Sequence, residues 1–80
     1  MESAVAILSS YEESAKWLSG NYEKLKRQFN NEWVAVLDTT MIDHDTSLAD
    51  LVKRLRKKYS KTYSQIAVEY VTTKEIDLIL

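Results

Sequence analysis

Apolar positions along this chain change their spacing from one segment to the next. Between Tyr11 and Phe29 they fall at Tyr11, Ala15, Leu18, Tyr22, Leu25 and Phe29. Alternating steps of four and three keep one face of a helix apolar. Ser9 with Glu12, or Ser10 with Glu13, forms a capping box that places the helix start near Ser9. The stripe holds its phase across Gly20-Asn21, so the pattern predicts one helix, bent there at most. Asn30-Asn31 ends it, because Asn accepts the left-handed conformation of a C-cap. Residues 1–8 fit a frayed end, an edge strand or an early helical turn equally well.

The period then shortens. Trp33-Val34-Ala35-Val36-Leu37-Asp38 is a continuous apolar run of strand length, and Met41-Ile42-Asp43-His44 follows at hairpin distance. Thr39-Thr40 suits a primed two-residue turn poorly, since β-branched residues resist positive φ. A longer loop around a type I turn with Asp38 in first position is expected instead. Ser47 with Asp50 opens a second helix whose stripe is Leu48, Leu51, Val52, Leu55 and Tyr59. Gln65 to Val71 alternates as a strand, with Ile66, Val68 and Tyr70 on one side and Glu69 on the other. The fold class is therefore α+β in the order αββαβ: a long N-terminal helix, a β-hairpin, a helix and a strand. The sheet is small and mainly antiparallel, in order 2-1-3, with room for a fourth C-terminal strand at Ile76–Leu80. Strand one sits in the middle, which accounts for its apolarity on both faces. Two helices suffice for one face; the tail or a second copy of the chain is expected on the other.

Composition narrows the function classes. Eighty residues make one domain spanning 1–80, with a thin core. An apolar share of 45% argues against disorder. The absence of cysteine removes disulfides, thiolate metal sites and thiol nucleophiles. The opening apolar run is too short for a signal peptide, and no run reaches membrane-spanning length, so the expected compartment is the cytoplasm. Net charge is −1, yet six of the eleven Lys/Arg lie between Lys53 and Lys61 with no acid among them.

Asn21-Tyr22-Glu23-Lys24-Leu25, then Asn31-Glu32-Trp33-Val34-Ala35-Val36, then a short hairpin to Ile42-Asp43, form a pattern that resembles the small prokaryotic domain-of-unknown-function family 5678. The leucine-spaced helix from Leu48 to Leu55 and Glu69-Tyr70-Val71 resemble it too, so the likeness runs from about Ser10 to the C-terminus. The resemblance implies a small α+β domain with no established activity and no catalytic residues to carry over. Family members usually place Gly in the hairpin turn, where this chain has Thr39-Thr40.

Three groups of residues hold chemistry. Asp43, Asp45 and Asp50, with Asp38 and His44 nearby, offer hard oxygen donors, and Asp43-x-Asp45-x-Ser47 copies the start of a calcium loop. Leu48 and Arg54 then stand where that loop needs Gly and Glu, and acids at a helix start also serve as caps. Lys53, Arg54, Arg56, Lys57, Lys58 and Lys61, interleaved with Tyr59 and Tyr63, form a stripe suited to phosphates. A solvated helix C-terminus carries the same cations for its dipole. Trp17, Ile76, Leu78 and Leu80 are apolar positions outside the helix stripes and suit a partner or a second copy. His44 stands without a nucleophile or paired partner, and no phosphate-cradling glycine loop exists. The expectation is a non-enzymatic interaction domain without a cofactor, weak Ca²⁺ or Mg²⁺ aside, self-associating or docked on a protein; nucleic-acid association through 53–61 and divalent-cation binding at the acidic hairpin end are the alternatives.

Overall fold

The structure, a computed structural model, describes the backbone of residues 4–73 and the side chains of residues 10–73. The element order is α1 (Ala4–Gly20), α2 (Tyr22–Gln28), β1 (Glu32–Leu37), β2 (Thr40–Asp45), α3 (Leu48–Lys58), a 3-10 turn (Tyr63–Gln65) and β3 (Ile66–Val71). The sheet is three-stranded in order β2-β1-β3, with both neighbours of β1 antiparallel to it. The α+β class, the helix-first order and the central position of the Trp33 run are as the apolar pattern implies.

The helical segment differs in two ways. It begins at Ala4, so Ser9 and Ser10 lie inside the helix and not at its start. It also breaks at Asn21, whose φ of −110° and ψ of 10° separate α1 from α2. Asn21 mends the break itself. Its backbone N–H donates to the Trp17 and Leu18 carbonyls at 3.0 and 3.2 Å, and its Nδ2 donates to the Trp17 carbonyl at 2.8 Å. Gly20 has no positive φ and open space where a Cβ would stand, so it does not impose the break. The stripe survives from Ala15 to Phe29, with Leu18 and Leu25 reaching the same core, while Tyr11 is exposed.

The hairpin is tighter than expected. Leu37 pairs with Thr40, leaving Asp38-Thr39 as a two-residue connection. Asp38 supplies the positive φ, 56°, and Thr39 does not have to. Asn31, at φ 63°, makes the other left-handed turn, between α2 and β1. The register of β1 with β2 slips between Ala35 and Val36, so Ile42 is an extra residue on β2.

Each face of the sheet has its own helical cover. Val34 and Val36 of β1 join Ala67 and Val71 of β3 under Leu18 of α1 and Leu25 of α2. Ala35 joins Ile66 under Leu51 and Leu55 of α3, with Trp33, Leu37, Ile42 and Val68 around them. Val34, Ala35, Val36, Leu51 and Leu55 are all fully buried. Burying each of those leucines contributes roughly 1.5–3 kcal/mol. The face expected to await a tail or a second copy is thus the face that α3 occupies. Strand β3 is correspondingly less one-sided than its alternation suggests: Ile66 and Val68 face α3, while Ala67 and Val71 are buried against α1 and α2.

A hydroxyl ties these layers together. Ser14 of α1 is fully buried. Its Oγ accepts from the Asp38 backbone N–H at 2.7 Å, and its proton serves the Gln65 and Ser10 carbonyls at 2.9 and 3.0 Å. One side chain therefore anchors α1 to the hairpin turn and to the start of β3.

Candidate functional site

On β2, Asp43 and Asp45 are two residues apart and project from one face of the strand, as period-two geometry requires. That face looks toward α3, where Arg54 stands one residue before the buried Leu55. The guanidinium donates from Nε and Nη2 to the two oxygens of Asp43, both at 3.1 Å, and from Nη1 to Asp45 Oδ2 at 2.7 Å. Nη2 also reaches the His44 carbonyl at 3.2 Å. The planar fork of Arg suits this arrangement, and a lysine could not copy it. Arg54 holds the Asp43 carboxyl below its ordinary 3.8, aided by the His44 N–H and opposed by partial burial. The Ser47 N–H is the main influence lowering Asp45, with Arg54 second. Both carboxylates in turn raise the Arg54 pKa. The cluster pins the middle of α3 to the edge strand β2.

Asp50 stands apart from that pair. It lies exposed in the first turn of α3, where its backbone N–H donates to the Ser47 hydroxyl at 3.3 Å, the expected cap. Among the described residues no three His, Cys, Asp or Glu side chains gather as a metal-binding set. Asp38 belongs to the opposite end of the hairpin, at the turn. His44 points to the face that α1 and α2 cover. Its Nδ1 lies 2.8 Å from Glu32 Oε1, and its ring sits 4.4 Å from that of Phe29.

The basic stripe divides in function. Arg54 is engaged as described. Of the six cations, the remaining five (Lys53, Arg56, Lys57, Lys58 and Lys61) are exposed. Among the described residues none of them has a carboxylate within salt-bridge distance. Arg56 lies over the ring of Tyr63 at 5.5 Å and Lys58 over Tyr59 at 5.7 Å. Both tyrosines are half-buried against the core beneath α3.

The apolar candidates separate as well. Trp17 is half-buried and packs against the core under α1. Ile76, Leu78 and Leu80 lie outside the described residues. Strand β3, which leads toward them, ends at a corner held by two asparagines. Asn31 Oδ1 accepts from the Thr72 hydroxyl at 2.8 Å, and Asn30 Oδ1 accepts from the Thr73 N–H at 2.8 Å.

The two outer strands are built differently. The outer strand β2 carries a bulge, two acids, a histidine and the Arg54 contact to its backbone. These are the devices that blunt an edge against further pairing. The other outer strand, β3, keeps an unbroken register with β1 from Ile66 to Val71 and holds one charge, Glu69. Among the described residues no strand pairs with its outer side. Sequence reasoning missed this asymmetry and the Ser14 anchor. The bulge depends on pairing register, and a serine inside a helix carries no signal of its own.

These features define a small α+β domain in which an antiparallel three-stranded sheet lies between helices, with no helix among the described residues long and apolar enough to cross a membrane. The chain belongs to a family of unknown function (DUF5678), whose model matches residues 24–74. The match starts inside α2 and ends just past β3, leaving α1 outside it, a narrower span than the resemblance in the residues suggests. No curated protein and no solved structure matches the chain.

Proposed function

We propose that this chain is a non-enzymatic interaction domain that associates with a second copy of itself. In this reading, Ile76–Leu80 of one copy adds as a strand to the outer edge of β3 in the other. The observation that carries it is the difference between the two sheet edges: β2 is bulged and charged, while β3 is regular, apolar and open among the described residues. Such an edge supplies main-chain hydrogen bonds to an incoming strand, and alternate side chains set its register.

Length is sufficient. Residues 74–80 span at most about 23–25 Å when extended, and six residues of β3 need about 20 Å. Ile76, Leu78 and Leu80 alternate, so a strand there presents one apolar side. A second copy is favoured over folding back within one chain by the Asn30–Asn31 corner. Thr72 and Thr73 are tied to it and are β-branched, poor material for a tight hairpin onto the outer edge.

Sedimentation of the full chain and of a chain ending at Thr73 tests the proposal. The full chain is expected to dimerise at micromolar concentration. The shortened chain, and an Ile76→Lys/Leu78→Lys variant, should be folded monomers by circular dichroism. A full chain that stays monomeric overturns the proposal, even if the truncation lowers its melting temperature, because that outcome places the tail on its own chain. A dimer that survives removal of 74–80 overturns it too.

A further inference from the structure

We propose that the outward ridge of α3 and the turn after it bind the phosphate backbone of double-stranded nucleic acid. The inference rests on charge that the fold leaves unused. Of the six cations between Lys53 and Lys61, the fold consumes one: Arg54 is committed to Asp43 and Asp45. The other five are exposed, and none has a carboxylate partner among the described residues. The acid that shares α3 with them is Asp50, in the first turn, and it bounds the patch on its N-terminal side.

The helix aims these groups outward. Lys53 and Lys57 each follow a buried leucine, Leu51 and Leu55, by two residues, which places them about 200° around the axis, pointing away from the sheet. They stand about 6 Å apart along the helix. Arg56, Lys58 and Lys61 widen the patch toward the C-terminal end of α3. Arg54 serves this surface indirectly, since its clamp on β2 fixes α3 while the ridge stays free.

The aromatic groups decide the kind of nucleic acid. Reading single strands requires exposed rings on which bases stack. Tyr59 and Tyr63 are half-buried in the core, and each has a cation over its ring. What remains is backbone contact, which suits a duplex and reads no sequence. The surface does not involve residues 74–80, so a chain ending at Thr73 retains it in full, whatever becomes of the docking at β3.

Fluorescence anisotropy with labelled 20-base-pair DNA and RNA duplexes, a single strand and anionic vesicles tests the assignment. Four phosphate contacts give a slope of about −3.6 for log affinity against log salt. Affinity for at least one duplex should therefore fall roughly 150-fold between 50 and 200 mM salt. Lys53→Glu with Lys57→Glu should weaken binding more than tenfold with the fold retained, while Lys16→Glu on α1 leaves it unchanged. Absence of duplex binding at 50 mM salt overturns the proposal, as does binding that ignores salt or the double substitution. Tighter binding to the single strand, or to anionic vesicles, overturns it in favour of those surfaces.

Discussion

Replacing Ser14 by alanine tests whether one buried hydroxyl holds the layers together. Ser14→Ala leaves the helix intact and improves its propensity by up to about 0.5 kcal/mol. Against that gain stand two hydrogen bonds that the substitution removes. The Asp38 N–H loses its acceptor at 2.7 Å, and the Gln65 carbonyl loses its donor at 2.9 Å. A hydrogen bond of this kind contributes about 1 kcal/mol net, and a buried group left without a partner costs about 1–3 kcal/mol. The Asp38 end is part-buried and accessible to water, so the larger penalty falls on the Gln65 side. The net loss should be about 2 kcal/mol, which for a domain of this size lowers Tm by about 8–16 °C. Urea denaturation and a thermal melt of Ser14→Ala beside Ser10→Ala provide the measurement. Ser10 contributes its backbone carbonyl, which the substitution keeps, so Ser10→Ala should be nearly neutral. A loss below about 0.5 kcal/mol for Ser14→Ala would refute the anchoring role, because two hydrogen bonds at about 1 kcal/mol each exceed it even after the propensity gain.

Asp38→Gly should stabilise the fold by up to about 1 kcal/mol, since glycine occupies the 56° φ without Cβ strain; a destabilised variant in urea would show that the carboxylate has a structural task. Arg54→Gln should weaken the fold at neutral pH and leave it unchanged in acid. Asp43 and Asp45 titrate below 3.8 when folded, so their contribution is present above the unfolded value and is lost as pH falls through the folded ones. Melting curves of the two proteins should therefore separate above about pH 4 and converge below it, and high salt should narrow the gap, because the pairs are half-exposed. A chain beginning at Lys24, where the family match starts, loses Leu18 and Ser14 from one side of the sheet. It should bind a hydrophobic dye and melt without cooperativity; a sharp unfolding transition would show that α1 is dispensable.

How much of this was legible in the residues depends on which question is asked of them. The two-sided apolarity of Val34-Ala35-Val36 was enough to place β1 in the middle, since only a central strand with cover on both faces buries all three. The assignment of helices to faces was not legible. An amphipathic stripe says that a helix has a buried side and not which side of the sheet receives it. Counting helices against one face therefore created an open surface that α3 in fact fills. The acidic group failed in a related way. Asp43 and Asp45 do share a strand face, but in the sequence Arg54 stands as the residue that spoils a calcium loop and as one cation of the basic stripe. Strand parity and its place beside Leu55 make it their counter-ion. The cap chemistry of Ser9 and Ser10 points to a start there, yet the helix runs back to Ala4, the early-turn alternative for residues 1–8.

With both faces closed, the surfaces left for binding are the rim of the sheet and the outside of α3. A domain with one bare sheet face needs a partner merely to exist, and any association would then be structural. Here Leu18, Leu25, Leu51 and Leu55 complete the core from within the chain, so a contact at β3 or at Lys53–Lys61 is free to be conditional. The two surfaces also differ in where their parts lie. The edge of β3 and the cations of α3 fall inside the matched span, residues 24–74, whereas the strand proposed to dock on β3 begins beyond it. The edge and its occupant are therefore separable. A chain could keep the receiving strand and change what binds there by altering only the few residues that follow Thr73.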